Sequence, residues 1–250
     1  MPELTDYRVY QLSQGQHVLA VAVGALIAFA ASYLFYRSII VACVCAAAGL
    51  LMPRWWRQVL AEQRRQRLRL QFKEALASLT SSLAAGRSVE NAFRSLAGDL
   101  QLIYPDSRTD ILREFTMIRI RLDNGESLEP VLRQFSERAG VEDITHFVDV
   151  FATGKRTGGD LVEIIRSTSQ TIGEKLDIQL ELGVMIAQKK FESRIMMAIP
   201  FIFLGFLAAA APDYMAPLYA SPIGYVLLTV CLVVLGLCYW FMIRLMAIRI

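Results

Sequence analysis

Residues that commonly carry out chemistry are scarce in this sequence. Its 250 residues include two histidines, His17 and His146, and four cysteines, no two of which have the Cys-x-x-Cys spacing. Zinc and redox sites usually need such clusters. His146 lies on a predicted amphipathic helix and is better explained as a packing or surface residue. The sequence therefore predicts no metal site and no cofactor.

The cysteines also lie where a disulfide is not expected. All four fall in apolar runs near the two ends of the chain: Cys43, Cys45, Cys231 and Cys238. The charged middle of the chain has no cysteine, so it cannot be a disulfide-stabilised domain. We interpret these thiols as small apolar residues that contact lipid or neighbouring helices.

Charged side chains are nearly missing from three stretches. Arg37 is the single charge between Val18 and Met52, and residues 195–211 and 223–243 contain none. Such runs approach or match the roughly 20 residues that a helix needs to cross the hydrocarbon core of a bilayer. Charges within them would indicate an ion or solute path, so their absence argues against a transporter. A net charge of +3 is too small to predict nucleic-acid binding.

The apolar runs predict two transmembrane hairpins. Residues 1–16 are polar and carry two acids, which argues against a cleaved secretory signal, so we predict a retained helix over Val18–Tyr36. A helix over Ser38–Met52 would rise only about 22 Å, which is short for a crossing. One alternative is that residues 18–52 make one crossing plus a re-entrant or interfacial piece.

A dense basic stretch follows the first hairpin: Arg54, Arg57, Arg64, Arg65, Arg67, Arg69 and Lys73. Basic residues next to membrane segments mark the cytoplasmic side. That orientation alone explains the charges. An alternative is a contact with a partner protein or anionic lipid, for which Arg64, Arg65, Arg67, Arg69 and Lys73 are our candidates.

The middle of the chain is periodic in the way of amphipathic helices. Phe72, Leu76, Leu79 and Leu83 recur at spacings of four, three and four, which places them on one helix face. Gly86 can end that helix in a left-handed conformation, and Ser88 can cap the next helix by accepting a backbone N–H bond. Similar patterns predict six helices, and no alternating strand pattern competes with them.

The turn at Gly86 has a weaker copy at Gly125 and Ser127, again a glycine, one residue, a serine and an apolar restart. Two copies suggest a duplicated helical unit, although Gly-x-Ser is also ordinary turn chemistry. A third break occurs at Gly158 and Gly159, where Asp160 is a good N-cap for a long sixth helix.

One local match to a nucleotide site fails. Gly154-Lys155-Arg156-Thr157 superficially matches a phosphate loop, but Asp149 stands where the first glycine is needed, and Arg156 replaces the Ser or Thr that would hold Mg²⁺. No nucleophile and base pair, and no pair of carboxylates with a catalytic partner, is evident either. We therefore predict that the chain is not an enzyme.

Together these patterns predict an all-α integral membrane protein with two transmembrane hairpins flanking a cytoplasmic six-helix bundle. The predicted parts are a cytoplasmic segment (1–17), a hairpin (18–52), a helical domain (53–194), a second hairpin (195–243) and a cytoplasmic tail (244–250). Basic residues flank the membrane runs on the bundle side, so both chain ends are expected there.

The turns at Gly86, Gly125 and Gly158, over about 72–201, resemble the F domain of type II secretion and type IV pilus inner-membrane platform proteins. Secretion platforms usually carry two such domains, whereas this chain has room for one, so it looks more like the single-domain platform proteins of Tad (Flp) pili. The resemblance implies a bacterial inner-membrane protein that couples a cytoplasmic assembly ATPase to the handling of pilin subunits.

The implied partners are therefore that ATPase, pilins, membrane lipids and a second F-domain platform protein, within an oligomer. The ATPase contact is expected at the basic stretch and at the polar faces around the first two turns. An alternative function, from another class, is a small oligomeric membrane transporter or its regulatory subunit.

Overall fold

The computed structural model describes residues 6–8, 14–47 and 52–246. Within these ranges it contains ten α-helices and no β-strand, which confirms the all-α prediction. The helices are α1 (Gln14–Tyr36), α2 (Ile39–Ala46), α3 (Met52–Ala84), α4 (Val89–Ile103), α5 (Asp110–Asp123), α6 (Leu128–Ala139), α7 (Glu142–Thr157), α8 (Leu161–Ala210), α9 (Pro212–Ala220) and α10 (Pro222–Met246).

The chain divides into two compact units. The bundle unit comprises residues 58–178 together with the described N-terminal residues Asp6–Arg8, and the membrane unit comprises the described parts of 12–57 and 179–250. Residues 58–178 lie inside the predicted 53–194 domain. Asp6–Arg8 belong to the predicted 1–17 segment and lie in the bundle unit.

The bundle core is built from the apolar stripes of α3 to α8. Its centre is a group of edge-to-face and stacked phenylalanines, in which Phe72 meets Phe147 at 5.5 Å and Phe93 meets Phe151 at 6.2 Å between ring centroids. The predicted core face of α3 is confirmed, since all of its members are buried: Phe72, Leu76, Leu79 and Leu83.

On α8 the apolar residues that recur at helical spacing continue past the edge of the core. Ile165, Thr168, Ile172 and Leu176 are buried, but Leu180 is 46% exposed. The stripe ends at Leu176 because the bundle unit itself ends at Ile178, and beyond it α8 continues in the membrane unit. The apolar spacing of α8 therefore continues to Leu180, although the bundle helices that cover its face end before that residue.

In the membrane unit, three helices are long and apolar enough to cross a membrane: Gly15–Tyr36, the apolar part of Leu161–Ala210, and Pro222–Met242. Many of their large apolar side chains are exposed, as expected of surfaces that face lipid. Phe35 at the end of α1 packs edge to face on Phe201 of α8, with ring centroids 5.5 Å apart.

The predicted fourth crossing is described only in part. Helix α2 packs against α1 and has eight residues, which rise about 12 Å. Residues 48–51, which complete the predicted run 38–52, lie outside the described ranges. A crossing by this run stays a prediction.

Candidate partner surface and the docked N-terminal tyrosine

The turn at Gly86 is a Schellman motif. Gly86 has φ 83°, its N–H donates to the carbonyl of Leu83 (2.9 Å), and the N–H of Arg87 donates to the carbonyl of Ser82 (3.3 Å). These two bonds satisfy carbonyls at the end of α3 that have no partner within the helix. The glycine is needed because a Cβ makes positive φ unfavourable.

The turn at Gly125 repeats this arrangement bond for bond. Gly125 has φ 86°, its N–H donates to the carbonyl of Leu122 (3.1 Å), and the N–H of Glu126 donates to the carbonyl of Arg121 (3.0 Å). The two turns are therefore equivalent in backbone conformation as well as in sequence. Schellman turns are common at helix ends, so ordinary turn chemistry is enough to explain both copies.

The serines after these glycines are not the hydrogen-bonding caps that the sequence predicts. Ser88 and Ser127 occupy the N-cap positions of α4 and α6 with extended backbones, but neither hydroxyl accepts a bond from the helix. Both residues are exposed, so water can bond to the first-turn N–H groups instead. The predicted bonds are therefore wrong, although the helix starts are right.

The third turn combines a left-handed glycine with a working cap. Gly158 has φ 71°, and the N–H of Gly159 donates to the carbonyl of Gly154 (3.0 Å). Asp160 Oδ1 accepts from the N–H groups of Val162 (2.9 Å) and Glu163 (3.4 Å), as an N-cap should. Residues 154–157 are helical and form no loop around a phosphate.

Side-chain bonds bring the three turns to one end of the bundle. Arg94, near the start of α4, donates to the carbonyl of Leu122 (3.3 Å) and pairs with Asp123 (3.5 Å). Arg156, near the end of α7, donates to Glu129 Oε1 at the start of α6 (2.8 Å). We call the turns at Gly86, Gly125 and Gly158 together the corner end. The sequence predicts each turn but not this grouping.

Most of the predicted partner-contact residues on α3 have partners within the bundle. Arg64 makes a two-bond contact with Asp110 of α5, at 2.9 and 2.6 Å. Arg69 Nε lies 2.8 Å from Asp143 Oδ2 of α7, and Lys73 Nζ lies 2.5 Å from Asp177 Oδ1 of α8. The basic segment thus joins α3 to three other helices.

The two remaining residues of the predicted set differ from these. Arg65 pairs with Glu62 one turn earlier on the same helix (2.5 Å). Arg67 is exposed and, within the described part of the chain, makes no hydrogen bond or ion pair. Sequence alone could not separate these roles, because the acids that pair with α3 lie 46 to 104 residues away along the chain.

A tyrosine from the N-terminal segment is packed into the opposite end of the bundle. Tyr7 is 1% exposed, its N–H donates to the carbonyl of Arg138 (3.0 Å), and its hydroxyl donates to Glu114 Oε1 (3.0 Å). The guanidinium of Arg64 lies 4.8 Å from the ring centroid, in a cation–π contact. These partners come from α6, α5 and α3, so Tyr7 holds residues 6–8 against three helices.

The buried carboxylate of Glu114 is stabilised by hydrogen bonds from Tyr7 and Arg138. Glu114 is 5% exposed and accepts a second hydrogen bond from Arg138 Nη2. Burial raises the pKa of Glu114, an effect that Arg138 opposes, and burial together with the Glu114 charge raises the pKa of Tyr7 above its usual range. Without Tyr7, the buried Glu114 carboxylate would lose one of its donors.

Comparison with known protein families identifies the chain. The family model of type II secretion system protein F matches residues 75–209, more than half of the sequence. The chain belongs to this protein F family. Comparisons with curated proteins and with solved structures find no match. The resemblance noted from the glycine turns is thereby confirmed.

The protein F match covers the corner end and leaves out the docked Tyr7. It runs from the C-terminal part of α3 to the apolar part of α8, and so includes Gly86, Gly125 and Gly158. Tyr7 and Arg64 precede it. In the residues that the structure describes, no group of three or more His, Cys, Asp or Glu side chains could hold a metal ion.

Proposed function

We propose that this protein F family member is an inner-membrane platform of a type II secretion-like or type IV (Tad/Flp) pilus assembly machine. In this role it couples a cytoplasmic assembly ATPase to the handling of pilin subunits in the membrane. The observation that carries the proposal is the family match, which spans both a charged helical bundle and an apolar helix able to cross a membrane.

The charge pattern supports a cytoplasmic bundle. Basic residues precede and line the start of the bundle on α3, and Lys189, Lys190 and Arg194 precede the apolar part of α8. Positive charges at these flanks favour the cytoplasmic side of a membrane. The bundle surface is then available to cytoplasmic partners, whereas pilins and a second platform protein would meet the exposed apolar faces of the membrane unit.

For the ATPase contact we propose the corner end together with Arg67. Lys155 at the corner end is exposed, and Arg67 is exposed without a partner in the described ranges. Exposed charges can steer docking to a surface of opposite sign without cost to the fold. Arg64 and Arg69 are poor choices because their charges already stabilise the bundle.

The test is capture of the cognate ATPase by the purified full chain. We expect retention that weakens with added salt, and no ATP hydrolysis by the chain alone. Arg67→Glu and Lys155→Glu should each reduce retention while leaving the melting temperature nearly unchanged. Arg64→Glu is the matched control, since it should lower the melting temperature by breaking the Asp110 contact.

Each result has a separate meaning. No retention of the ATPase by the wild-type chain would refute the coupling role, and hydrolysis by the chain alone would refute the non-enzymatic role. Full retention by both Arg67→Glu and Lys155→Glu would remove these residues from the interface. Solute flux in vesicles that contain only this protein would instead favour a transporter.

A further inference from the structure

The charges beside α1 do not by themselves place its N-terminus on the cytoplasmic side. Residues 1–13 contain one basic residue, Arg8, and Arg37 directly follows the last residue of α1. The next basic residues along the chain, Arg54 and Arg57, are on the side where the bundle begins. By charge alone, a position on the cytoplasmic side is favoured at least as strongly for the end of α1 beside Arg37 as for the end beside Arg8.

Two arrangements of the N-terminal region are therefore compatible with the apolar runs. In the first, the N-terminus is cytoplasmic, α1 crosses outward, and residues 37–57 cross back. In the second, the N-terminus is outside, α1 crosses inward, and residues 37–57 stay on the cytoplasmic side. The second avoids a short crossing, because a helix over residues 38–52 rises only about 22 Å.

The docked tyrosine distinguishes between them. Tyr7 lies in the bundle unit, and its hydroxyl, backbone N–H and ring all contact bundle residues. A residue packed inside the bundle must be on the same side of the membrane as the bundle. An even number of crossings must then separate Tyr7 from residue 58, and α1 supplies one of them.

We propose that docking of Tyr7 on Glu114, Arg138 and Arg64 sets the orientation of the first membrane helix. The basic stretch of α3 keeps the bundle on the cytoplasmic side of the membrane. The Tyr7 contact then keeps the N-terminus on that same side, although Arg37 by itself favours the opposite orientation of α1. The return crossing through residues 37–57 follows from this contact. The proposal depends on the fold of the bundle and not on the ATPase partner.

The experiment measures the sidedness of the N-terminus in the full chain. All four cysteines are replaced by alanine, Glu3→Cys is introduced, and a membrane-impermeant maleimide is applied to right-side-out and inside-out vesicles. In the Tyr7 background we expect labelling of inside-out vesicles only. Tyr7→Ala should expose a fraction of the label, at least several-fold above background, in right-side-out vesicles.

Two further variants test the physical reason. Tyr7→Phe retains the ring over Arg64 but loses the hydroxyl bond to Glu114, so it should give an intermediate exposed fraction. Arg37→Gln combined with Tyr7→Ala should return the label toward the cytoplasmic side, because it removes the opposing charge. Unchanged sidedness in Tyr7→Ala would overturn the proposal, as would failure of Arg37→Gln to reduce the exposed fraction.

Docking itself is measured by a disulfide between Arg8→Cys and Gly140→Cys in the same cysteine-free chain. A Cβ at Gly140 would lie 2.8 Å from Arg8 Cγ, so cysteines at these positions are close enough to pair on mild oxidation. Gly140 has φ 58°, so a cysteine there must adopt an unfavourable backbone conformation, and pairing is therefore compared only between chains that share this substitution. We expect efficient pairing with Tyr7 and several-fold less with Tyr7→Phe. If the Tyr7→Ala chain does not accumulate in cells, both measurements are made with Tyr7→Phe instead. The proposal is refuted if the Tyr7→Phe chain forms the disulfide as efficiently as the Tyr7 chain and its cysteine at position 3 is still labelled only from the cytoplasmic side.

Discussion

Asp143 provides the sharpest test of how the basic segment stabilises the bundle. Its side chain is 4% exposed, Arg69 Nε of α3 lies 2.8 Å from Oδ2, and Lys175 Nζ of α8 donates to Oδ1 at 2.9 Å. The Arg69 contact is an ion pair without the alignment of a hydrogen bond. One carboxylate on α7 thus joins both long helices of the bundle.

The expected cost of Asp143→Asn follows from the exposure of its partners. Removing one partner of a fully buried pair costs about 3–5 kcal/mol, because a buried charge is left unpaired. The side chains of Arg69 and Lys175 are 20% and 41% exposed, so water partly screens the charges that remain. We therefore expect a loss of about 2–3 kcal/mol in the free energy of unfolding of the bundle.

The measurement is amide hydrogen exchange of α4 to α7 in the full chain, in nanodiscs, which reports the free energy of bundle opening. Asp177→Asn is the matched control. It also removes a carboxylate that pairs with α3, but Asp177 is 64% exposed, so the loss should stay below about 1 kcal/mol. Equal losses for the two variants would refute the argument that burial sets the strength of these pairs.

Two more predictions concern the turns and the docked tyrosine. Gly86→Val and Gly125→Val should each lower the free energy of unfolding of the bundle by about 1–2 kcal/mol or more, because the backbone is left-handed at both sites. The control Gly98→Ala, inside α4, should raise the free energy of unfolding by up to about 1 kcal/mol. An unchanged melting temperature in both valine variants would show that positive φ is not required. The pKa of Tyr7 is raised by docking, so docking should be fully stable below about pH 10 and weaken by about 1.4 kcal/mol per pH unit above it. The difference in tyrosinate absorbance between wild type and Tyr7→Phe measures this titration, and ionisation at the ordinary tyrosine pKa in the folded chain would contradict a buried hydroxyl.

The sequence by itself determined the features that depend on neighbours along the chain. The helical period of Phe72, Leu76 and Leu79 predicts the buried face of α3, because residues three and four apart share a helix face in any fold. The positive φ at Gly86 and Gly125 is predictable for the same reason, since a glycine after an apolar helix end is a local signal.

Only the tertiary structure decided which distant residues meet. Tyr7 stands in a polar segment with no periodic signal, and its partner Glu114 is 107 residues away. The sequence offers the basic residues of α3 as candidates for a partner contact, besides their role in orientation, but Arg64 and Arg69 pair with acids of other helices. The position of a charged residue in the sequence does not show which residue it pairs with. An ion pair forms wherever the packing of the helices brings two opposite charges close together. Each glycine turn can be predicted from the sequence, but their common position at one end of the bundle depends on how α4 to α7 pack.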